Sequence, residues 1–94
     1  MIIAVDFDGT LEIKGKPNHE LIQNLIIAQR KGNIVILWTC RQGKSLMDAV
    51  RFLNKEGFSP NLINENAPEA IRMLRGNPRK IYADIYIDDK GKSI

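Results

Sequence analysis

Residues 2–5, Ile-Ile-Ala-Val, are a short unbroken apolar run rich in β-branched side chains, and an aspartate follows at once. A run without polar alternation reads as a strand buried on both faces, hence a central strand of a parallel sheet. Residues 7–17 carry Gly9, Gly15 and Pro17 and read as a loop. Asn18 is a good N-cap for a helix running to about residue 31. Its apolar set (Leu21, Ile22, Leu25, Ile26, Ala28) recurs at helical spacing, and Gly32 is placed to end it. The same alternation repeats down the chain. A second buried strand is predicted over 34–38 and a helix over 44–56, with Leu46, Ala49, Val50 and Leu53 on one face and Gly57 after its end. A short strand follows at 62–63. Residues 67–75 form a short helix with Pro68 in its first turn and Gly76 beyond it, and the last strand is 85–87.

Strands alternating with helices predict an α/β domain: a doubly wound, Rossmann-like parallel sheet with helices on both faces in three layers. The 94 residues suffice for one compact domain, 1–94, and not for two. In such a sheet every parallel strand delivers its carboxyl end to the same edge, and ligands bind there. The chemistry-bearing residues are therefore sought at four places.

The first strand ends in Asp6-Phe7-Asp8-Gly9-Thr10. Asp6 and Asp8 are two residues apart, so in an extended segment both carboxylates leave the same side. Held close, they resist joint ionisation, a cost that a divalent cation removes. Oxygen-only ligation suits magnesium. Gly9 permits a tight turn and close approach of a phosphate to backbone N–H groups. An isolated Asp-Gly pair would be read as a plain turn; its position after a buried strand favours a site. The second strand runs into Thr39 and Arg41; alone these read as a turn or cap residue and a solvated cation, though the hydroxyl could donate to a phosphate oxygen and the guanidinium could reach an anionic substrate, while Trp38 and Cys40 read as packing residues. The last strand ends in Asp88-Asp89, again at the active edge. Asp84 precedes that strand, about three residues of ~3.3 Å each from the edge, and is excluded. Lys80 lies in the segment leading to the last strand; by periodicity alone it is a surface lysine, and a folded-back approach could bring its ammonium to the carboxylates. His19 has no ligand-spaced neighbours and belongs to the first helical turn.

The order of these pieces (Asp-x-Asp-Gly-Thr after the first strand, threonine after the second, lysine, then Asp-Asp after the fourth) resembles the haloacid dehalogenase-like (HAD) superfamily. The resemblance runs from Asp6 to Asp89, nearly the whole chain. It implies a Mg²⁺-dependent phosphohydrolase, a phosphomonoesterase working through an aspartyl-phosphate. Asp6 would be the nucleophile and Asp8 the proton shuttle. Gly9, Thr10, Thr39, Arg41 and Lys80 would hold the phosphoryl group or substrate. Asp6, Asp8 (through its backbone carbonyl), Asp88 and Asp89 would surround the metal, with the choice between Asp88 and Asp89 as direct ligand left open. The presence of Asp8 fits the phosphatase branch better than the dehalogenating one. Only short segments stand where the family often inserts a cap domain, so the chain resembles small capless members that end their last core strand in Ile-Asp-Asp.

Composition adjusts this picture a little. Hydrophobic residues make up 44% and charged residues 27%, ordinary for a soluble globular protein. The net charge of +3, with a pI near 9.2, suits an anionic substrate, whether a phosphorylated small molecule or a macromolecule. It also leaves a nucleic-acid 3′-phosphate end as an alternative substrate. A single cysteine allows no intramolecular disulfide, and no apolar run approaches the ~20 residues of a membrane helix, so a cytoplasmic location is the default expectation. A sheet this small leaves an edge that a homodimer could cover. The competing reading is a non-catalytic binding module that keeps the fold and perhaps the metal site.

Overall fold

The computed structural model describes residues 1–76 and 81–93, with side-chain surroundings through residue 90. Seven strands and three helices follow in the order β1 (Ile2–Val5), β2 (Glu12–Ile13), β3 (Lys16–Pro17), α1 (His19–Arg30), β4 (Ile34–Leu37), α2 (Gly43–Lys55), β5 (Leu62–Ile63), α3 (Pro68–Leu74), β6 (Ile85–Asp88) and β7 (Gly91–Ser93). The main sheet has the order β5-β4-β1-β6-β7. Its first four strands run parallel, and β7 is antiparallel to β6. This is an α/β fold of the Rossmann-like kind.

The expectation that β1 is central holds. All four of its residues are buried, and it pairs with β4 on one side and β6 on the other. Its odd and even positions enter different cores, because successive side chains leave opposite faces of a strand. Ile3 and Val5 pack with Val35, Leu37, Ile22 and Leu25 of α1, and Ala49 and Leu53 of α2. Ile2 and Ala4 pack with Ile36, Ala83, and Ala67 and Ala70 at α3. At α3 this second core is lined by alanines, which meet Ile2 and Ile36 of the sheet.

The helix ends follow the sequence signals. The Asn18 side chain accepts a hydrogen bond from the Leu21 N–H at 3.3 Å, and Pro68 opens α3 at the position where its missing N–H costs nothing. Gly32 and Gly57 follow α1 and α2 with φ of +92° and +79°, in the left-handed region.

Two features depart from the sequence reading. The loop expected over 7–17 contains the small antiparallel pair β2–β3. The last core strand does not leave an open edge, since the chain turns through Asp89 and Lys90 and returns as β7. Both additions are two- or three-residue strands, too short for hydrophobic periodicity to register. No helix among the described residues is long and apolar enough to cross a membrane.

The core assignment predicts the outcome of truncation. Leu53 is fully buried between α2 and the sheet, and Leu53→Ala is expected to cost about 2–5 kcal/mol of unfolding free energy in urea titrations. Met47, on the same helix but 56% exposed, should change stability by no more than about 0.5 kcal/mol when replaced by alanine.

Candidate functional site

Parallel register decides what meets at the carboxyl edge. Val5 is level with Leu37 on β4 and with Ile87 on β6. The ladder runs one step further: the Trp38 N–H donates to the Val5 carbonyl at 2.8 Å and the Asp6 N–H to the Ile87 carbonyl at 2.9 Å. Trp38, Asp6 and Asp88 therefore form one row across three strands. Together with Thr39, Cys40, Asp89 and Lys90 they line a cleft of about 320 Å³.

The Asp6 carboxylate accepts a hydrogen bond from the Phe7 N–H at 2.8 Å. Its pKa is nonetheless raised, first by burial and then by the negative charges of Asp8, Asp89 and Asp88; the Phe7 contact offsets part of this. Asp8, Asp88 and Asp89 thus all act on Asp6. Asp88 is fixed by the turn, where its carboxylate accepts from the Lys90 N–H at 2.9 Å.

Asp8 is turned elsewhere. Its two oxygens accept from Arg41 Nε at 3.1 Å and Arg41 Nη2 at 2.8 Å, a bidentate pair. The guanidinium lowers the Asp8 pKa, sits 4.7 Å from the centre of the Phe7 ring, and donates to the Ser45 carbonyl at 3.1 Å. Arg41, expected at the substrate, is here held by a carboxylate from the first motif.

Gly9 and Thr10 line a neighbouring hollow of about 380 Å³ instead of the Asp6 cleft, and the two hollows share Asp88 and Asp89. Gly9 has φ +77°, and a Cβ there would stand 3.3 Å from the Cβ of Asp89, so glycine is what lets the first-motif turn and the β6–β7 turn touch. The Thr10 side chain is buried, and its hydroxyl has no hydrogen-bond partner among the described residues. Lys80 lies outside the described residues. Asp84 accepts from the Ile2 N–H at 2.7 Å, at the amino end of β1, the edge of the sheet away from this cleft.

A solved structure of a conserved protein from Bacteroides thetaiotaomicron matches this chain with a TM-score of 0.80 and 33% sequence identity, over 97% of this chain and 77% of that one. This chain belongs to the family of that Bacteroides protein. No family model and no curated protein matches the sequence. The Bacteroides relative carries no functional name, so the chemistry of this family member's cleft rests on its own residues.

Three of those residues were missed or misread in the sequence. Trp38 and Cys40, expected to be packing residues, are exposed in the cleft: β4 ends at Leu37, and of the next three residues only Thr39 is buried. Asn64, after β5, went unnoticed. Its side chain accepts from the Thr39 N–H at 2.9 Å and donates to the Thr39 carbonyl at 3.0 Å, fixing the backbone of the expected phosphate-binding threonine. Asn64 has φ +52°, a conformation that asparagine tolerates better than most residues, and its place after a short strand was the available signal.

Among the described residues no group of three His, Cys, Asp or Glu side chains is closed around a metal position. The donor set still fits magnesium. It is all oxygen, and Mg²⁺ is commonly held by one or two carboxylates, with waters and substrate phosphate oxygens completing its shell. Asp6 and Asp88 or Asp89 would hold it, and its charge would relieve the repulsion that raises the Asp6 pKa.

That repulsion predicts a stability change. Asp6→Asn removes a charge that the folded state disfavours at neutral pH and keeps an oxygen that can accept from Phe7. Thermal unfolding in EDTA should show a midpoint equal to or above wild type for Asp6→Asn, and a clear drop would mean that the carboxylate is stabilised where it sits.

Proposed function

We propose that this protein is a Mg²⁺-dependent phosphohydrolase of the haloacid dehalogenase-like type, built on a doubly wound, three-layer, capless core. The observation that carries this reading is the meeting of Asp6, Thr39 and Asp88–Asp89 around one open cleft at the carboxyl ends of parallel strands.

In this reading the Asp6 carboxylate attacks the phosphorus of a phosphomonoester. The bond to the leaving oxygen breaks, and that oxygen takes a proton from Asp8. Water then attacks the phosphorus of the aspartyl-phosphate and gives a proton back to Asp8, which frees phosphate and regenerates Asp6. Thr39, its backbone held by Asn64, offers its hydroxyl to the phosphoryl oxygens, and Lys80 supplies a balancing positive charge. A bound magnesium ion would neutralise charge between the carboxylates and the phosphate. Arg41, paired with Asp8, fits as a fork that a phosphate could also engage in a bidentate way.

The reading is tested with Asp6→Asn and Asp8→Asn on an aryl phosphate in the presence of Mg²⁺. Proton shuttling contributes about 10² to 10⁴ in rate, and loss of the covalent route should cost at least as much. Both variants should stay folded by circular dichroism and be nearly inactive. Lys80→Ala should lower turnover by about 10²-fold, the scale of one preorganised electrostatic partner, whereas Arg79→Ala should do far less. Full activity in Asp6→Asn would sink the mechanism.

A second reading, a non-catalytic binding module, draws on the Asp8–Arg41 pair, which engages the carboxylate that the hydrolase reading needs as its proton shuttle. Wild-type protein that hydrolyses none of a broad panel of phosphorylated sugars, nucleotides, oligonucleotides and phosphopeptides would favour it.

A further inference from the structure

Trp38 is the most conspicuous side chain in the cleft that the proposed chemistry does not use. It stands in the same row as Asp6, one strand away, where neighbouring backbones lie about 4.8 Å apart. A large aromatic side chain at that position would ordinarily be covered, yet Trp38 is 45% exposed. What holds it is Tyr86, on the same sheet face, whose ring meets it edge to face with centroids 5.8 Å apart and an interplanar angle of 65°. Tyr86 is itself fixed at its far end, since its hydroxyl donates to the Ile81 carbonyl at 2.6 Å and accepts from the Ala83 N–H at 3.0 Å. The indole is thus braced on one side and open to the cleft on another, which is the arrangement of a stacking platform.

We infer that the substrate is a phosphomonoester of a nucleoside, with its base stacked on Trp38 while its phosphate meets Asp6. This rests on the phosphohydrolase reading and names the substrate class of that same cleft. In-line displacement puts the leaving oxygen on the far side of phosphorus from Asp6. A ring bonded directly to that oxygen, as in an aryl phosphate, projects away from the sheet. A base joined through a ribose has the spacer needed to fold back onto a ring beside the nucleophile. Stacking tolerates any base, because every base has a π-face. The cleft is open, so the nucleoside can be free or can end a nucleic-acid strand.

The chain contains a single tryptophan, so its fluorescence reports this contact directly. Asp6→Asn protein, in which turnover is blocked, is titrated with adenosine 5′-monophosphate and with ribose 5-phosphate in Mg²⁺. The nucleotide should quench the tryptophan and bind about tenfold or more tighter than ribose 5-phosphate, the scale of one stacked base. In steady-state assays of otherwise wild-type protein, the ratio of kcat/KM for the two compounds should collapse towards one in Trp38→Ala and survive in Trp38→Phe. Equal affinity for the two compounds, or nucleotide binding without quenching, overturns the inference. Oligonucleotides phosphorylated at the 3′ or 5′ end separate the two sources. Tighter binding than the mononucleotide assigns a strand terminus, and weaker binding a free nucleotide; both retain the stacked base. Quenching with no hydrolysis by wild type would keep the stacking site and refute the phosphohydrolase reading. Hydrolysis of both compounds at equal kcat/KM without quenching would do the reverse.

Discussion

The position of β1 governs the rest of the molecule. Both of its edges are hydrogen-bonded and both of its faces are buried, so it has no freedom to slip or tilt. A shift by one residue would exchange the two cores, sending Ile2 and Ala4 towards α1 and α2 and the larger Ile3 and Val5 against the alanines of α3. Because that exchange is so costly, the residue after Val5 emerges at one fixed place. Asp6 is carried there with burial on one side and acids on the other, and the raised pKa is the electrostatic signature of that placement.

This is also why the sequence was legible where it was. Ile2–Val5 and Ile34–Leu37 are fully apolar because both of their faces are covered, and such runs stand out without an alignment. Once those strands are found, parallel topology alone sends Asp6, Thr39 and Asp88 to a common edge and Asp84 to the other, as the hydrogen bond from Ile2 N–H to Asp84 bears out. The illegible parts share a different character. Strands β2, β3 and β7 are two or three residues long and exist because a neighbour is present to pair with. The exposure of Trp38 depends on where β4 stops, which differs by one residue from the predicted end. The pairing of Asp8 with Arg41 spans 33 positions and leaves no trace in local pattern.

The site is assembled largely by groups that perform none of its chemistry. Asn64 grips Thr39 by both its N–H and its carbonyl, doing for the end of β4 what another residue of β5 would have done had that strand continued. Gly9 allows the first-motif turn to come against Asp89, and the Lys90 N–H orients Asp88. Asp6 and Asp88 are each oriented by a backbone N–H one or two residues further along the chain, and Asp8 by the Arg41 side chain.

The antiparallel return of the chain after Asp88 has a consequence for how the molecule meets its neighbours. A parallel sheet that stopped at β6 would present a four-residue row of unsatisfied amide and carbonyl groups, an inviting template for a strand from another chain. Strand β7 takes up that row, and the sheet is then bounded by β7 at one margin and the two-residue β5 at the other. The hydrogen-bonding row along the far side of β6 is thereby occupied from within the molecule, by the residues that follow its own turn.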